Sequence, residues 1–287
     1  MTRVVHDKQE FRAACDSVRA DGGRLGLVPT MGALHEGHLA LADEARRRGA
    51  SCVALTIFVN PLQFGPSEDF DRYPRTLESD VERCRASGVE LVWAPARDSM
   101  YPVGFQSEVV VGDLTKRLEG AHRPGHFAGV TTVVTKLFQV AGPCVAAFGR
   151  KDYQQWKVIE RMARDLDMPI EVVGMPTVRE HDGLAKSSRN RYLSDDERAR
   201  ALGIARGLRA AHVAFDGGER DPARIAALVR GSIEACSDAI DYVDVADPET
   251  LEPFDAALGD RAVITVAARI GATRLIDNTV LGEDRAP

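Results

Sequence analysis

The stretch LGLVPTMGALHEGHLALADEARRRG, residues 25–49, carries three patterns in succession. LGLVPT (25–30) is short, apolar and β-rich, and reads as a buried strand. HLALADEARRRG (38–49) reads as a helix, with basic residues in its last turn, where they complement the helix dipole, and Gly49 as its stop. Between them sit Gly32, His35, Gly37 and His38, gathered where a strand turns into a helix.

The same grammar repeats outward. Further apolar strands are expected in SCVALTIFV (51–59), VELVWAP (89–95), CVAAFG (144–149) and IEVVGMP (170–176). Helices are expected in TLESDVERCRASG (76–88), with a Thr76 cap and a Gly88 stop, and in the largely apolar FAGVTTVVTKLFQVAG (127–142). DYQQWKVIERMARDLD (152–167) reads as an amphipathic helix with Trp156, Ile159, Ala163 and Leu166 on one stripe. Continuous apolar strands separated by helices indicate an α/β fold, a parallel sheet with helices on both faces. Ligands of such sheets bind beyond the carboxyl ends of the strands. The polar clusters PTMGALHEGH, NPLQFG and GRKDYQQ each follow directly after a strand. After REHDGLAKSSRNRYLS (179–194) come helices over about Asp195–Phe215 and Pro222–Ala235, then short strands in IDYVDVAD, RAVITVAARI and TRLID. This reads as a smaller α+β C-terminal domain. The boundary falls between Pro176 and Ser194, giving domains of residues 1–177 and 178–287.

A chain of 287 residues suits one large domain or two modest ones, and 44% hydrophobic with 28% charged residues is an ordinary globular mix. A net charge of −6 argues against nucleic acid as a partner, so an anionic substrate needs a local cationic site. Cys15, Cys52, Cys84, Cys144 and Cys236 are scattered, odd in number and without a C-x-x-C pair, which argues against a disulfide framework or a zinc site. The N-terminus lacks an apolar signal region, and no apolar run approaches the ~20 residues of a membrane span. A cytoplasmic protein with no membrane partner is expected.

Neither G-x-x-x-x-G-K-[ST] nor G-x-G-x-x-G occurs, so a bound nucleotide needs another device. HEGH at a helix start is one: backbone N–H groups attract anions, glycines permit close approach, and two imidazoles add donors. The plainer reading is two surface histidines at a cap. No metal-ligand set is read, because the i,i+3 histidines lack further ligands. KSSRNR offers Lys186, Ser187, Ser188, Arg189 and Arg191 to a triphosphate, or is a solvated loop. In FGRKDYQQ, Gly149 allows close approach, Lys151 is a point charge, Asp152 suits a helix cap, and Gln155 is either a ligand or simply exposed. In FVNPLQFG, Asn60 and Gln63 offer neutral donors and acceptors, or mark an Asn-Pro turn. RPGHFAGV adds Arg123 and His126 just before a helix.

Together, PTMGALHEGH, TIFVNPLQFGPSEDFDRYPRT, EGAHRPGHFAGV, FGRKDYQQ and DGLAKSSRNRYLS fall in the order and spacing of one family. The chain resembles the pantothenate synthetases, the pantoate–β-alanine ligases of the class I nucleotidyltransferase superfamily, over almost its whole length. The resemblance implies a Rossmann-like domain with a lid-like C-terminal domain, usually as a homodimer. It implies that ATP, as a substrate with Mg²⁺, converts pantoate to pantoyl adenylate and pyrophosphate, and that β-alanine then displaces AMP to give pantothenate.

Residue roles follow from the same resemblance. His35 and His38 match H-x-G-H on the ATP phosphates, His38 as the proton donor. Met31, Gly32, Ala33, Leu34, Glu36 and Gly37 complete that nucleotide-lining segment. Gln63 and Gln155 match pantoate-binding glutamines, Gln63 also near β-alanine, with Asn60 in support. Gly149, Arg150, Lys151 and Asp152 match a nucleotide-binding segment, Lys151 on phosphate and Asp152 near the ribose. Val178 matches a backbone contact to adenine, and Lys186, Ser187, Ser188 and Arg189 match the family's K-M-S-K-S counterpart. Arg123 and His126 match the active-site wall. Pro29, Met31, Phe58 and Val130 or Val134 are candidates for an apolar wall around the gem-dimethyl carbon of pantoate. Two positions depart from the family pattern: Lys186 stands where Met or Leu is common, and Arg150 replaces Glu or Gln and adds local positive charge. The rival readings are another adenylate-forming enzyme of the superfamily, which the paired glutamines oppose, and a regulatory nucleotide binder, which retention of the histidines and Lys151 opposes.

Overall fold

Apolar runs too short to bury themselves alone assemble into a six-stranded sheet in the computed structural model, which describes residues 2–66 and 68–287. The strands are β1 (Arg3–Val5), β2 (Leu25–Thr30), β3 (Cys52–Ile57), β4 (Leu91–Trp93), β5 (Cys144–Gly149) and β6 (Ile170–Met175). They lie in the order β1-β4-β3-β2-β5-β6, and every pairing is parallel. The helices of this part are α1 (Lys8–Ala20), α2 (Glu36–Arg47), α3 (Leu77–Ala86), the short α4 (Arg97–Met100) and α5 (Glu119–His122), α6 (His126–Ala141) and α7 (Tyr153–Asp165).

Alternate residues of a strand face opposite sides of a sheet, and β2 shows helices on both. Leu25 and Leu27 enter a core with Phe11 of α1 and Phe138 of α6. Gly26, between them, faces the other way: a Cβ there would lie 2.8 Å from Ala45 Cβ of α2 and 2.9 Å from Ala50 Cβ. The expected α/β fold is therefore present.

Several sequence expectations need correction. The edge strand β1 and helix α1 were not anticipated. A three-residue strand shows no periodicity, and α1 is marked chiefly by its cap, where Asp7 accepts the N–H groups of Gln9 (2.8 Å) and Glu10 (2.9 Å). That helix buries Phe11, which stacks on Trp93 at 4.6 Å between ring centroids. Thr76 precedes α3 but makes no side-chain cap; its hydroxyl turns instead to the buried Asp80 carboxylate, 3.0 Å away. Leu166 falls off the apolar stripe of α7, which ends at Asp165, and is 52% exposed. The cysteines behave as expected: all five are free, and burial pushes the thiols of Cys15, Cys84 and Cys144 up to about 12. Among the described residues no helix is long and apolar enough to cross a membrane.

The chain divides into two compact units. The first runs to Gly149 and resumes over Gln155–Met175; the second takes Arg150–Gln154 and Pro176–Pro287. The second unit holds α8 (Asp195–Asp216), α9 (Pro222–Glu234) and the antiparallel strands β7 (Ala239–Ala246), β8 (Ala262–Ile270) and β9 (Thr273–Leu281), in the order β7-β8-β9. A Ser194–Glu197 capping box starts α8, and Asp221 caps α9. Ile204, Leu208, Ile225, Val229, Ile264 and Val266 fill the core beneath them. The expected strand TRLID runs on to Leu281, because β9 stays paired with β8 along its whole length.

The close approach at Gly26 holds α2 against the sheet, and α2 with its N-cap carries both histidines. Gly26→Ala is expected to destabilise the protein by about 1–3 kcal/mol through overpacking, after a smaller gain from reduced freedom of the unfolded chain. Urea denaturation at constant m-value measures this. An unchanged or raised midpoint would show that α2 can back away from β2.

Candidate active site

Strands β3, β2 and β5 are neighbours at the centre of the sheet, with Thr30 in register with Ile57. The strand order reverses between β2 and β5, the position at which open parallel sheets bind ligands. The segments that leave these three strands are PTMGALHEGH, NPLQFG and GRKDYQQ, as anticipated.

The first segment is shaped from behind by a carboxylate. Asp80, only 1% exposed, accepts the N–H of Ala33 (2.9 Å) and of Leu34 (2.8 Å), while Thr76 donates to the same group. Thr30 Oγ1 accepts the N–H of Gly32 at 3.2 Å and donates to the Thr56 carbonyl at 2.7 Å. The loop needs left-handed backbone at Gly32 (φ +86°) and Ala33 (φ +51°). A Cβ on Gly32 would in addition press on Asp80 Oδ2 at 3.0 Å and Ile57 Cγ2 at 3.1 Å, which only glycine avoids. Sequence reading missed Asp80, since an acidic residue in a first helical turn is an ordinary dipole partner.

The histidines cap the helix that this loop enters. His35 is the N-cap of α2, and its Nδ1 accepts the N–H of Gly37 at 3.1 Å. His38 returns the contact, its Nδ1 accepting the N–H of His35 at 3.3 Å, and the two rings lie 4.1 Å apart. A ring nitrogen that accepts carries no proton, so each imidazole is neutral with its N–H at Nε2. The cap reading and the donor reading are thus both satisfied by the same two rings.

The expectation of an open cradle of backbone N–H groups is corrected. Gly32, Ala33, Leu34, His35, Gly37 and His38 all direct their N–H groups to partners within the chain. Gly32, Ala33 and Leu34 are also buried, whereas Met31, His35, Gly37 and His38 are half-exposed and Glu36 is exposed. At the start of α2 the N–H groups of His35, Gly37 and His38 are thus engaged within the chain, and the protonated nitrogen of each imidazole is Nε2.

The second segment enters a 3₁₀ turn, Pro61–Gln63, capped by Asn60. Asn60 is 1% exposed, and its amide is engaged internally at both ends, so it supports the turn and does not itself face outward. Helix α6 lies directly against this turn: a Cβ on Gly129 would fall 2.3 Å from the Leu62 carbonyl oxygen. His126, 8% exposed, holds the same turn from the side. Arg123 can only donate, so its 3.1 Å contact makes His126 Nε2 the acceptor and leaves Nδ1–H to donate to the Gln63 carbonyl at 2.8 Å. Arg123 also grips Glu68 through two hydrogen bonds of 2.7 and 2.6 Å. Burial would raise the Glu68 carboxyl, but the bonds and charge of Arg123 carry it below its ordinary value. Burial first, then the Arg123 charge, push His126 down to about 4. Of the expected apolar wall, Phe58, Val130 and Val134 are buried in the core, whereas Pro29 and Met31 are half-exposed. Gln155 is half-buried in the first turn of α7.

Apart from Gly149, which closes the first segment of the first unit, the remaining candidates belong to the second unit. Arg150 does not add uncompensated positive charge, as its sequence position implied. It is 7% exposed and pairs with Glu283 and Asp284 at the end of the chain. Asn278 of β9 donates to the carbonyls of Arg150 (2.9 Å) and Lys151 (2.7 Å), so this strand shapes the 3₁₀ turn Arg150–Asp152. Lys151 and Gly149 are half-buried and Asp152 is exposed. Next to Asn278 on β9, Asp277 takes two hydrogen bonds from Arg179, 2.7 and 3.0 Å. The Lys186 N–H meets the Val178 carbonyl at 2.9 Å, and Ser187 caps the turn Ser188–Tyr192 by accepting from Arg189 N–H at 3.2 Å.

Two outcomes follow. Asp80→Ala leaves two buried N–H groups unpaired, at about 1–3 kcal/mol each, so a loss of about 2–6 kcal/mol is expected in urea. A loss below about 1 kcal/mol would mean that water satisfies the loop. His126 binds its proton only near pH 4 when folded but near 6.5 when unfolded. Stability should therefore be level above pH 6.5, fall as the pH drops from 6.5 to 4, and level off again for this group below 4. At about 1.4 kcal/mol per pH unit the loss is about 3 kcal/mol. His126→Gln should remove that component from a pH series of denaturation curves, and an unaltered series would contradict the neutral buried ring.

Comparison with known proteins identifies the family. The family model described as pantoate–β-alanine ligase matches residues 3–280. The chain is 50% identical to the pantothenate synthetase of Geobacter sulfurreducens over 284 residues, covering 99% of this chain and 100% of that one. It is 52% identical to pantothenate synthetase 1 of Bradyrhizobium diazoefficiens, covering 97% and 98%. A crystal structure of the Thermus thermophilus pantothenate synthetase superposes with a TM-score of 0.90 at 46% identity, covering 97% of this chain and 99% of the other. A Francisella tularensis pantoate–β-alanine ligase, solved with β,γ-ATP and β-alanine, superposes with a TM-score of 0.80 at 30% identity, covering both chains fully. With the H-x-G-H cap at the switch point of a parallel sheet and a match spanning residues 3–280, the chain belongs to the pantoate–β-alanine ligase family.

Proposed function

We infer that this chain joins pantoate to β-alanine at the expense of ATP, forming pantothenate, AMP and pyrophosphate through pantoyl adenylate. The observation that carries the reading is the reciprocal His35–His38 cap, retained in a chain matched by the family model over residues 3–280. In the first half-reaction a carboxylate oxygen of pantoate attacks the α-phosphorus of ATP, and pyrophosphate leaves. In the second the β-alanine nitrogen attacks the acyl carbon, the acyl C–O bond breaks, AMP leaves, and the amine gives up a proton.

The residue assignments are ours and rest on the family pattern together with the local geometry. His35 and His38 direct Nε2–H donors at the phosphoryl oxygens, and their rings are held before the reaction begins. Fixed donors of this kind stabilise developing negative charge without reorganising at the moment of reaction. Met31 and Gly37 complete that side of the nucleotide site. Gln63 and Gln155 take the oxygens of pantoate, with Asn60 behind Gln63. Lys151 takes phosphate, Asp152 the ribose, Val178 adenine through its backbone, and Ser187, Ser188 and Arg189 the triphosphate. Lys186 covers adenine with its methylene stem. The second unit acts as a lid that keeps water from the adenylate. Mg²⁺ enters with the nucleotide, as MgATP. We assign the chain to the cytoplasm as a homodimer.

Pantoate-dependent exchange of pyrophosphate into ATP, without β-alanine, tests the reading. Exchange is expected for the wild type. Nucleotide binding with no exchange would favour a regulatory protein. In single turnover, His38→Ala should slow adenylate formation about 10²–10³-fold, the usual cost of one preorganised donor, with little change in pantoate affinity. Wild-type adenylation in this variant would remove His38 from the phosphoryl centre.

A further inference from the structure

The direction of one amide is settled by a chain of hydrogen bonds that ends on a tyrosine. Asn60 Oδ1 accepts the Leu62 N–H at 3.3 Å, and Asn60 Nδ2 donates to the Gly129 carbonyl at 3.0 Å. A backbone N–H only donates and a backbone carbonyl only accepts, so Asn60 has one permitted orientation. Its second Nδ2 hydrogen then points to Gln63 Oε1, 3.0 Å away. Its oxygen takes a second donor, the Tyr101 hydroxyl, at 2.7 Å. Gln63 is therefore set with Oε1 turned inward to Asn60 and Nε2 on the other side, where it lies 3.2 Å from the Met31 sulfur.

Tyr101 is itself anchored. It follows α4, its ring meets Phe105 edge-on at 5.1 Å and Phe58 at 6.0 Å, and the Lys136 ammonium lies over it at 5.8 Å. Burial raises its hydroxyl well above the ordinary tyrosine value, so it remains a protonated donor. No family motif quoted above includes this residue, and it lies 41 positions from Asn60.

We propose that Tyr101 is a positioning residue for substrate recognition: through Asn60 it holds Gln63 so that Nε2, an N–H donor, is the end offered to the substrate. The substrate atom read by Gln63 is then an acceptor oxygen, a carboxylate or hydroxyl oxygen used through its lone pair. This rests on the assignment of Gln63 to pantoate made above.

The test is steady-state kinetics on the full-length enzyme with pantoate and ATP varied separately. Tyr101→Phe should raise the pantoate KM roughly 2- to 10-fold, the range covered by one neutral hydrogen bond, and leave the ATP KM unchanged. In a Gln63→Ala background the same substitution should have no further effect on the pantoate KM, because the group it positions is gone. Equal rises in both KM values, no rise at all, or full additivity with Gln63→Ala would each overturn the relay. Gln63→Glu tests the polarity without touching Tyr101. It keeps an oxygen towards Asn60 and replaces the Nε2 donor by a second acceptor, so it should raise the pantoate KM at least as much as Gln63→Ala. Retained pantoate affinity in Gln63→Glu would reverse the polarity. If Gln63→Ala alone leaves the pantoate KM unchanged, the assignment of Gln63 fails; if it acts while Tyr101→Phe does not, only the relay fails.

Discussion

The Asp80 carboxylate, nearly inaccessible to water, is bonded to the N–H groups of Ala33 and Leu34, and this contact sets the shape of the site. An ionised carboxylate is costly to bury, and three donors from Ala33, Leu34 and Thr76 offset that cost. In return the carboxylate binds the turn between β2 and α2 at a point where the backbone is left-handed at two successive residues. Without it the two N–H groups would compete for water, and the direction in which the chain enters α2 would be unspecified. His35, the first residue past this turn, becomes the cap only because the entry direction is fixed. The order of dependence runs from a buried anion to a loop, from the loop to a cap, and from the cap to the Nε2 atoms.

The parts legible in the sequence were those with a local signature. Strand, glycine-containing turn and helix follow one another within 25 residues at Leu25–Gly49, and the apolar runs around them specify a parallel sheet. From there the position of three polar clusters on one edge follows from topology alone. The parts that escaped are contacts between residues far apart in the chain. Asp80 lies 46 and 47 positions from its partners, Tyr101 lies 41 from Asn60, and Arg150 lies 133 and 134 from Glu283 and Asp284. None of these leaves a period or a spacing to read. Gly129 escaped for a related reason: within an apolar helix a glycine looks like a neutral filler until the turn pressed against it is known.

Arg150 shows how a departure from a family pattern is absorbed. Judged by residue type, the position gained a positive charge beside Lys151. In the folded chain the guanidinium is buried and matched by two carboxylates, while Asn278 fixes the backbone on which Lys151 sits. The Arg150 side chain therefore anchors the turn, and the charge that the turn itself presents is that of the half-buried Lys151. A side chain with several donors suits this anchoring task, because a buried charge is tolerated only when it is paired. Lys186 differs in kind: it is half-buried, and its backbone N–H is bonded to the Val178 carbonyl.

The donors on the first unit share a property that the net charge of −6 makes consequential. His35 and His38 are neutral through their caps, and Gln63 is an uncharged amide. Neutral donors held from behind by internal N–H groups do not need to shed a tight water shell before a ligand arrives, and they do not repel one another when packed 4.1 Å apart, as two imidazolium rings would. Their strength comes from direction, and direction is supplied from behind: by the Gly37 and His35 N–H groups for the rings, and by Asn60 and Tyr101 for the amide. The reciprocal cap also means that neither histidine is an independent part. Removing the His38 ring frees the His35 N–H, and removing the His35 ring frees the Gly37 N–H, so each loss reaches the same first turn of α2. A donor's contribution in such a site cannot be divided between the atom that faces the ligand and the atom that holds the ring, since both belong to one imidazole.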